Sequence, residues 1–370
     1  MIAVLPVPYG PSELLAPSMD EILPGKSGKT CALRTRAGCW LHERWRTEWA
    51  LALGGAPARL VGPSWVDLCN RGERLARGSS PESRECAWGD STYLTVCQVF
   101  PGVGARLLRH CLRSHPVRLA SEPVPADHDA QRNVSVITPF AGAAREAQFR
   151  CVLASLLGQT TAAAEIIVVS FEDRVASLYD WVRWVRVPAD PAGFNKSRLL
   201  NAAVTAARFP VVLLHDADIL VPQDYLSTLA AAFAQGWEAL KPIRFLFYLD
   251  QREAEAFAAS GGSHRPEAVR QVRQNFAGGS TAIRKDAYER IGGHDEDFVG
   301  WGGEDVEFRD RMTTLNCFHG GFAPSVHLWH PPAPVCSPGY SNGCLVDQKR
   351  AVPMAERVKA LRAEYRQKHG

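Results

Sequence analysis

Residues 134–170 read VSVITPFAGAAREAQFRCVLASLLGQTTAAAEIIVVS and decide the fold class. Val134–Phe140 and Glu165–Ser170 are apolar runs of strand length, and Ala143–Leu157 between them has the spacing of a helix. Strand, helix and strand at this distance predict two parallel strands joined by a right-handed crossover. In parallel sheets, ligands bind at the carboxyl ends of the strands. The alternative is that the residues after the first strand form an ordinary strand-to-helix turn. The candidate binding residues at the first strand's end are Thr138, Pro139 and Phe140.

The α/β pattern continues along the chain. A short strand is predicted at Val185–Val187, a helix at Phe194–Ala206 and a buried strand at Val211–Leu214. The sequence therefore predicts an α/β fold with a mostly parallel, Rossmann-like sheet flanked by helices. Residues 131–335 form this main domain.

Two flanking regions complete the expected organisation. Residues 1–130 read as a smaller accessory α+β unit of unknown role, with helices over 41–53 and 65–77 and a strand over 93–100. Residues 336–370 read as a turn and a basic amphipathic helix packed on the main domain.

Composition sets limits on partners and compartment. The chain has 370 residues, is 46% hydrophobic and carries a net charge of +3, so nothing in it requires nucleic acid as a partner. The sequence contains no run of eighteen apolar residues, so no transmembrane helix is predicted. The first residues, MIAVLPVPYG, lack a basic segment and make a poor signal peptide, so a cytoplasmic location is expected. The Arg-heavy, Ala-rich composition looks bacterial, and the oligomeric state is left open.

The ten cysteines do not indicate a structural zinc site, because no C-x-x-C pair occurs. Without a secretion signal, most are expected to be reduced thiols. Cys336 and Cys344 flank a turn-rich segment and are the one pair worth testing for a bridge.

Two carboxylates follow the buried strand that ends at Leu214. The chain there reads His215, Asp216, Ala217, Asp218, and carboxylates one residue apart at a strand end can both reach a divalent cation. Oxygen ligands suit Mg²⁺ or Mn²⁺. A D-x-D pattern alone is common in turns that cap helices, but its position after an apolar strand favours a metal site.

Glycines and acids dominate residues 275–307, NFAGGSTAIRKDAYERIGGHDEDFVGWGGEDVE. Glycines let the backbone approach a ligand closely, and neighbouring carboxylates raise one another's pKa, which suits a general base. The alternative is a Gly-rich loop followed by the acidic first turn of a helix. Further on, the segment 326–331, VHLWHP, offers His327 and His330 as imidazole ligands for a metal.

Together these motifs resemble those of metal-dependent, inverting glycosyltransferases of the GT-A fold. The amino-terminal part is similar to family 2, and the carboxyl-terminal part to the β-1,4-galactosyltransferases of family 7. Four segments carry the resemblance: FNKSRLLNAA at 194–203, the D-x-D at 216–218, GWGGEDVEF at 300–308 and HLWHP at 327–331. The last is similar to a segment of chondroitin-type N-acetylgalactosaminyltransferases. Residues 1–130 lie outside the resemblance.

The resemblance implies roles for individual residues. Asp305 would be the general base, and Glu304 would hydrogen-bond the donor or the acceptor. Mn²⁺ or Mg²⁺ would be bound by Asp218, His330 and His327. The UDP-sugar donor would contact Thr138, Pro139, Phe140, Phe194, Arg198, Asp216, Ala217, Gly278, Gly279 and Trp301. The family's arginines after P-F are replaced by Ala141 and Gly142, and Phe276 stands at a position that tunes donor choice in relatives.

The implied activity is transfer of a Gal, GalNAc, GlcNAc or Glc-class sugar from a UDP-sugar to an acceptor hydroxyl on a glycan, natural product or peptide. Two alternatives stay open. A sugar-nucleotide nucleotidyltransferase would carry a Gly-rich, basic phosphate loop after the first strand, for which residues 141–144, AGAA, are a poor match. A non-catalytic carbohydrate-binding protein on the same fold would be expected to have lost its D-x-D or its base.

Overall fold

The computed structural model describes residues 33–52, 64–71, 73, 75–77, 84–86, 92–122, 133–142, 145–175, 179, 182–274, 276–300, 302–318, 320–331 and 342–369. Within them the strands, numbered in chain order, are β1 Leu75–Arg77, β2 Arg84–Cys86, β3 Thr92–Tyr93, β4 Val134–Pro139, β5 Glu165–Ser170, β6 Arg183–Arg186, β7 Val211–His215, β8 Ile219–Leu220, β9 Ala239–Leu240, β10 Ile243–Tyr248, β11 Gln271–Gln274, β12 Ser280–Arg284, β13 Cys317–Phe318 and β14 Ala323–His327.

Helices connect and flank these strands. The α-helices are Leu33–Cys39, Trp45–Ala52, Thr95–Val99, Pro101–Ser114, Glu146–Leu157, Lys196–Ala206, Tyr225–Ala234, Gln251–Ala259, Lys285–Arg290, Glu304–Met312, Asn342–Ala351 and Met354–His369. A π-helical turn, Trp40–Arg44, joins the first two, and Trp65–Asp67 is a 3₁₀ turn. No helix among the described residues is both long and apolar enough to cross a membrane.

The central sheet has seven strands in the order β13-β9-β12-β7-β4-β5-β6. The four strands from β7 to β6 are mutually parallel, while β12 runs antiparallel to both of its neighbours. Successive side chains of a strand point to opposite faces, and the core divides accordingly. Val136 and Leu213 belong to the apolar cluster on one face, and Ile137 and Val212 to the cluster on the other. The predicted α/β class and mostly parallel sheet are confirmed.

A second sheet of five strands has the order β3-β11-β10-β14-β8. In it β10 and β14 are parallel, and the other neighbours are antiparallel. The chain passes between the two sheets at residues 216–218, which connect β7 to β8, and at residues 275–279, which connect β11 to β12. The backbone N–H of Asp216 donates to the carbonyl of Gly279 at 2.9 Å, so the two crossings lie side by side.

The region before residue 130 differs from the sequence prediction in two places. The helix expected over 65–77 is wrong, because the chain makes a 3₁₀ turn at Trp65–Asp67 and then the strand β1. The strand expected over 93–100 is also wrong beyond Tyr93, since Thr95–Val99 is helical. Asn70 explains the second difference: its side-chain oxygen accepts from the Thr95 N–H at 2.8 Å and starts this helix.

The same region shares structure with the main domain. Strand β3 pairs with β11, and the apolar cluster that contains Leu107 and Trp65 also contains Val136 and Phe245. The division of the chain at 130 and 335 stays a prediction, and Cys336 of the proposed cysteine pair lies outside the described residues.

Candidate active site

A buried histidine supports the crossing that carries Asp216 and Asp218. His215, 1% exposed, places its Nε2 2.8 Å from the carbonyl of Ile219 and its Nδ1 3.1 Å from the hydroxyl of Ser280. Burial lowers the pKa of His215 to about 4, so the ring is neutral. Because a carbonyl only accepts, Nε2 carries the proton and Nδ1 accepts from Ser280, which in turn accepts from Tyr225 at 2.8 Å. His215 therefore holds the crossing in shape.

Three of the predicted metal ligands come together. Potential ligand atoms of Asp218, His327 and His330 all lie within 4.8 Å of one another. The Nε2 atoms of His327 and His330 are 3.7 and 3.2 Å from Asp218 Oδ2. The pairing of β14 with β8 brings these side chains together. His327 is the last residue of β14 and lies opposite Ile219 of β8, and the Leu328 N–H donates to the Asp218 carbonyl at 2.8 Å.

Both imidazoles of this metal triad are oriented by other groups. The Nδ1 of His330 lies 2.7 Å from the Pro331 carbonyl, which leaves its Nε2 free to face Asp218. The His327 ring stacks on Tyr248 with ring centroids 4.3 Å apart. Burial raises the pKa of Asp218, but the charges and hydrogen bond of the two histidines outweigh it and hold the pKa well below its usual range. One carboxylate and two imidazoles form a donor set that suits Mn²⁺ and other transition metals better than Mg²⁺, which prefers oxygen ligands.

A lysine gathers the remaining acids of the site. Lys196, in the first turn of helix Lys196–Ala206, places its Nζ 2.9 Å from Asp216 Oδ1, 3.2 Å from Asp305 Oδ2 and 3.5 Å from Glu304 Oε1. The helix begins at Asn195, whose side chain accepts from the Arg198 N–H at 3.0 Å. This cap fixes where Lys196 projects. Lys196, Asp216, Glu304 and Asp305 are called the acid–lysine cluster below.

Three carboxylates cannot all be neutralised by one ammonium group. Burial, together with the Asp305 charge, raises the pKa of Glu304 to about 7. The pKa of Asp216 is raised by burial as well, although Lys196 opposes this. Burial lowers the pKa of Lys196, but the three carboxylates outweigh it and hold that pKa well above the ordinary value. The cluster therefore keeps a charged lysine and a proton on one of its acids near neutral pH, most readily on Glu304.

The two glycines at 278 and 279 are required by close packing. A Cβ on Gly278 would overlap Oδ2 of Asp305, so only glycine leaves this carboxylate room. Gly279 has φ +84°, and a Cβ there would lie 2.7 Å from Cδ1 of Ile219. The sequence predicted that these glycines would allow a close backbone approach, and the group that approaches Gly278 is the side chain of Asp305.

One acid of the run after Gly303 is structural. Glu307 is fully buried and forms an ion pair with Arg311, whose Nη2 lies 2.6 Å from Glu307 Oε2. Arg311 also donates to the carbonyls of Ile291 and Gly293, each at 2.6 Å. This buried network anchors helix Glu304–Met312. Only the first turn of the helix contributes to the acid–lysine cluster, through Glu304 and Asp305.

The predicted residues at the end of β4 are placed at the sheet edge but are buried. Phe140 is 1% exposed and stacks on Phe149 with centroids 4.5 Å apart, so its ring belongs to the core and is not positioned to touch a nucleotide. Thr138 is also buried, and its hydroxyl has no hydrogen-bond partner among the described residues. Pro139, the last residue of β4, is buried too.

Other predicted donor contacts are more accessible. Phe194 is 40% exposed, and its ring meets Phe171 edge-on at 6.2 Å. Arg198 is half-buried, with its Nη1 3.7 Å from Asp190 Oδ2. Ala217 is half-buried between the two aspartates and packs against the core. Trp301 lies outside the described residues.

Sequence reasoning missed Lys196 and gave no role to Tyr248. The signal for Lys196 was present, because three acids crowded at neighbouring strand and helix ends need a cation. The lysine also lies inside the quoted segment 194–203. Arg145, the nearest basic residue to 141–142, has a charge that acts on both Asp218 and His330. Tyr248 could not be found from sequence, since its position depends on the pairing of β10 with β14.

Comparison with known proteins gives two sequence matches. A family model described as the N-terminal domain of galactosyltransferase matches residues 267–324, which include Gly278, Glu304 and Asp305. The validoxylamine A glucosyltransferase of Streptomyces hygroscopicus subsp. limoneus is 26% identical over 235 residues, 54% of this chain and 51% of that protein. The chain thus spans about half the length of this relative. Both matches are to glycosyltransferases, the class of enzyme that the motifs resemble.

Similar solved structures include GalNAc-T7 with UDP, GalNAc and Mn²⁺, at 15% identity, TM-score 0.44 and coverage of 64% of this chain and 55% of that one. The catalytic domain of Drosophila β1,4-galactosyltransferase 7 with xylobiose has 17% identity, TM-score 0.35 and coverage of 58% and 79%. Mannosyltransferase PcManGT from Pyrobaculum calidifontis, with GDP-Man and Mn²⁺, has 19% identity, TM-score 0.38 and coverage of 65% and 68%.

Proposed function

We propose that this chain is an inverting, metal-dependent GT-A glycosyltransferase. It moves a Gal, GalNAc, GlcNAc or Glc-class sugar from a UDP-sugar to an acceptor hydroxyl on a glycan, natural product or peptide. One observation carries the proposal: residues 216–218 join the acid–lysine cluster, through Asp216, to the metal triad, through Asp218. A candidate base and a candidate metal site therefore lie at one crossing between the sheets.

The metal triad is the donor side of the site. Asp218, His327 and His330 would hold Mn²⁺, and a metal bound there neutralises the charge of the leaving diphosphate. Arg145, whose charge already acts on Asp218 and His330, adds positive charge on the same side. The exposed ring of Phe194 offers a stacking surface for the uracil base.

The acid–lysine cluster is the acceptor side. Asp305 accepts the proton of the acceptor hydroxyl while that oxygen bonds to the anomeric carbon of the sugar. The bond from the anomeric carbon to the phosphate oxygen breaks, and its electron pair leaves with UDP. Lys196 contacts both oxygens of Asp305, at 3.2 and 3.3 Å, and so fixes the direction of the carboxylate. Attack from the face opposite the nucleotide inverts the anomeric centre, and no second nucleophilic carboxylate is required.

Glu304 has a different role from its neighbour. It is buried, and its raised pKa lets it carry a proton near neutral pH, so it can donate a hydrogen bond to a sugar hydroxyl. Natural products are the first class of acceptor to test, because the Streptomyces relative is named as a glucosyltransferase of validoxylamine A.

The test is a thermal-shift screen of UDP, GDP, CDP and TDP, each with and without Mn²⁺, followed by UDP-sugars. A ligand at a hundredfold excess over its Kd should add about 2.7 kcal/mol to the free energy of unfolding. We expect UDP with Mn²⁺ to raise the Tm and the other nucleotides to have little effect. If no nucleotide raises the Tm in the presence of metal, the donor site proposed here does not function.

A further inference from the structure

A row of side chains crosses the five-stranded sheet beside the metal triad. In the register of that sheet His327 of β14 lies opposite Tyr248 of β10, which lies opposite Gln271 of β11. Arg273, two residues beyond Gln271 on the same face, lies opposite Tyr93 of β3. The row therefore runs from a metal-ligand candidate to a residue of the region before 130.

Arg273 is surrounded by aromatic rings. Its guanidinium carbon lies 4.9 Å from the ring centroid of Tyr93, 5.6 Å from that of Tyr248 and 5.0 Å from that of Phe276. Its Nη2 donates to the Tyr93 hydroxyl at 2.6 Å. These four residues are called the Arg273 cluster below, and all of them are half-buried. Rings on several sides hold the guanidinium in one place.

The charge of Arg273 has no acidic partner in the part of the chain that the structure describes. Among the described residues no carboxylate lies within ion-pair distance of it, and its buried Nε–H has no hydrogen-bond acceptor. Within the described residues, the hydrogen bond that it makes to a side chain goes to a neutral hydroxyl, that of Tyr93. A guanidinium presents several donors in a fixed planar fork that matches a carboxylate or a phosphate. The Arg273 cluster thus has the donors and the charge to bind an anion.

The position of the Arg273 cluster suits binding of the acceptor rather than the donor. Arg273 lies two strands from His327, about 10 Å at the usual spacing between strands, which is the distance of a sugar ring or two from the metal. Phe276 comes two residues before Gly278, which packs against the Asp305 carboxylate. An acceptor whose hydroxyl meets Asp305 can therefore extend across Phe276 to Arg273.

A polar network fixes the strand that supplies Tyr93. The Glu73 carboxylate accepts from Thr92 at 2.5 Å and from Gln274, and Gln274 also donates to Thr92 at 2.8 Å. Asn70 donates to the Tyr93 carbonyl at 2.7 Å. These contacts join Asn70, Glu73 and β3 to β11, so this part of the region before 130 holds Tyr93 beside Arg273.

We propose that the Arg273 cluster binds an anionic group, a carboxylate or a phosphate, on the acceptor of the transfer reaction. Tyr93 gives the region before residue 130 a part in choosing that acceptor. The assignment deepens the proposed function and rests on it.

The experiment measures binding of matched probe pairs by ligand-observed NMR titration, with UDP and Mn²⁺ present. One pair is p-nitrophenyl glucuronide against p-nitrophenyl glucoside, and the other is glucose 6-phosphate against glucose. We expect the wild type to bind at least one anionic probe about tenfold more tightly than its neutral partner. Arg273→Gln should abolish this preference, and Tyr93→Phe, which keeps the ring and removes the hydroxyl, should reduce it about threefold. Arg270→Gln is the matched control: Arg270 is exposed and lies three residues before Arg273, and this variant should keep the preference for the anionic probe.

The affinity for UDP with Mn²⁺, measured separately by calorimetry, distinguishes acceptor from donor. An Arg273→Gln chain that loses the anion preference and keeps its nucleotide affinity supports the proposal. Equal binding of charged and neutral probes by the wild type would overturn it, and so would a loss of UDP affinity in Arg273→Gln, since the anion would then be the donor's diphosphate. If the wild type binds no UDP, the proposed function fails, while the anion preference can still be measured without nucleotide.

Discussion

The acid–lysine cluster and the metal triad differ in the source of the positive charge that balances their carboxylates. In the first, the protein supplies its own cation, since Lys196 contacts Asp216, Glu304 and Asp305. In the second, Asp218 faces two histidines: burial lowers the pKa of His327, and the hydrogen bond with Asp218 raises that of His330. The cluster is complete as it stands, whereas the triad is suited to an added cation. Changes to the cluster should therefore affect the chemical step, and changes to the triad the metal requirement.

The largest effect is expected for Asp305→Asn, which removes the base of the cluster. Asparagine has almost the same shape, and Lys196 keeps two carboxylate partners, so the fold and the affinity for UDP with Mn²⁺ should be retained. Turnover of sugar transfer should fall by ~10²-fold or more, the scale of the loss of a general base.

The matched control lies on the same helix. Asp310→Asn removes a surface ion pair with Arg350, at 2.7 Å, and should leave turnover close to that of the wild type. Full activity of Asp305→Asn in the same assay would remove Asp305 from the chemistry.

The triad is examined with His330→Ala, which removes one imidazole ligand. Half-saturation of activity with Mn²⁺ should move to a concentration about 10- to 100-fold higher, while turnover at saturating Mn²⁺ changes much less. His115→Ala is the control, because His115 also pairs with an aspartate, Asp224 at 2.8 Å, outside the site. A metal titration in His330→Ala identical to that of the wild type would exclude His330 as a ligand.

Gly278→Ala examines how closely the backbone crossing fits the cluster. The added Cβ would overlap Oδ2 of Asp305 and push the carboxylate from Lys196, so turnover should drop about tenfold with the Mn²⁺ requirement unchanged. Gly102→Ala is the control, because a Cβ at Gly102 meets no atom within 4 Å. Wild-type turnover in Gly278→Ala would show that the Asp305 carboxylate can move without loss.

The contrast between the two groups also shows how far the sequence could be interpreted. Asp218, His327 and His330 were expected as metal ligands from the resemblance, and the structure brings these three side chains together. The acid–lysine cluster was predicted only in part. Lys196 and Asp305 are 109 positions apart in the chain, and only the tertiary fold brings them within 3.2 Å.

Phe140 shows a second limit. Strand β4 is buried along its whole length, so its sequence has no polar alternation from which the direction of a side chain could be inferred. The helix expected over 65–77 and the strand expected over 93–100 failed for a related reason. There, side-chain contacts such as those of Asn70 decide the local structure, and apolar periodicity does not record them.

The smallest effect concerns the proton that the acid–lysine cluster holds. Burial and the Asp305 charge raise the pKa of Glu304 to about 7 from 4.5, so the folded chain keeps this proton over a range in which the unfolded chain has lost it. Stability from this group is therefore fully present below about pH 4.5 and is lost as the pH rises through 7. Glu304→Gln stays neutral, so without metal or nucleotide its Tm should match the wild type near pH 4.5 and exceed it by a few degrees at pH 8. The shift corresponds to at most about 3 kcal/mol, and relaxation of the buried site reduces it. A variant no more stable than the wild type at pH 8 would show that Lys196 fully compensates all three carboxylates, and the cluster would then hold no proton at neutral pH.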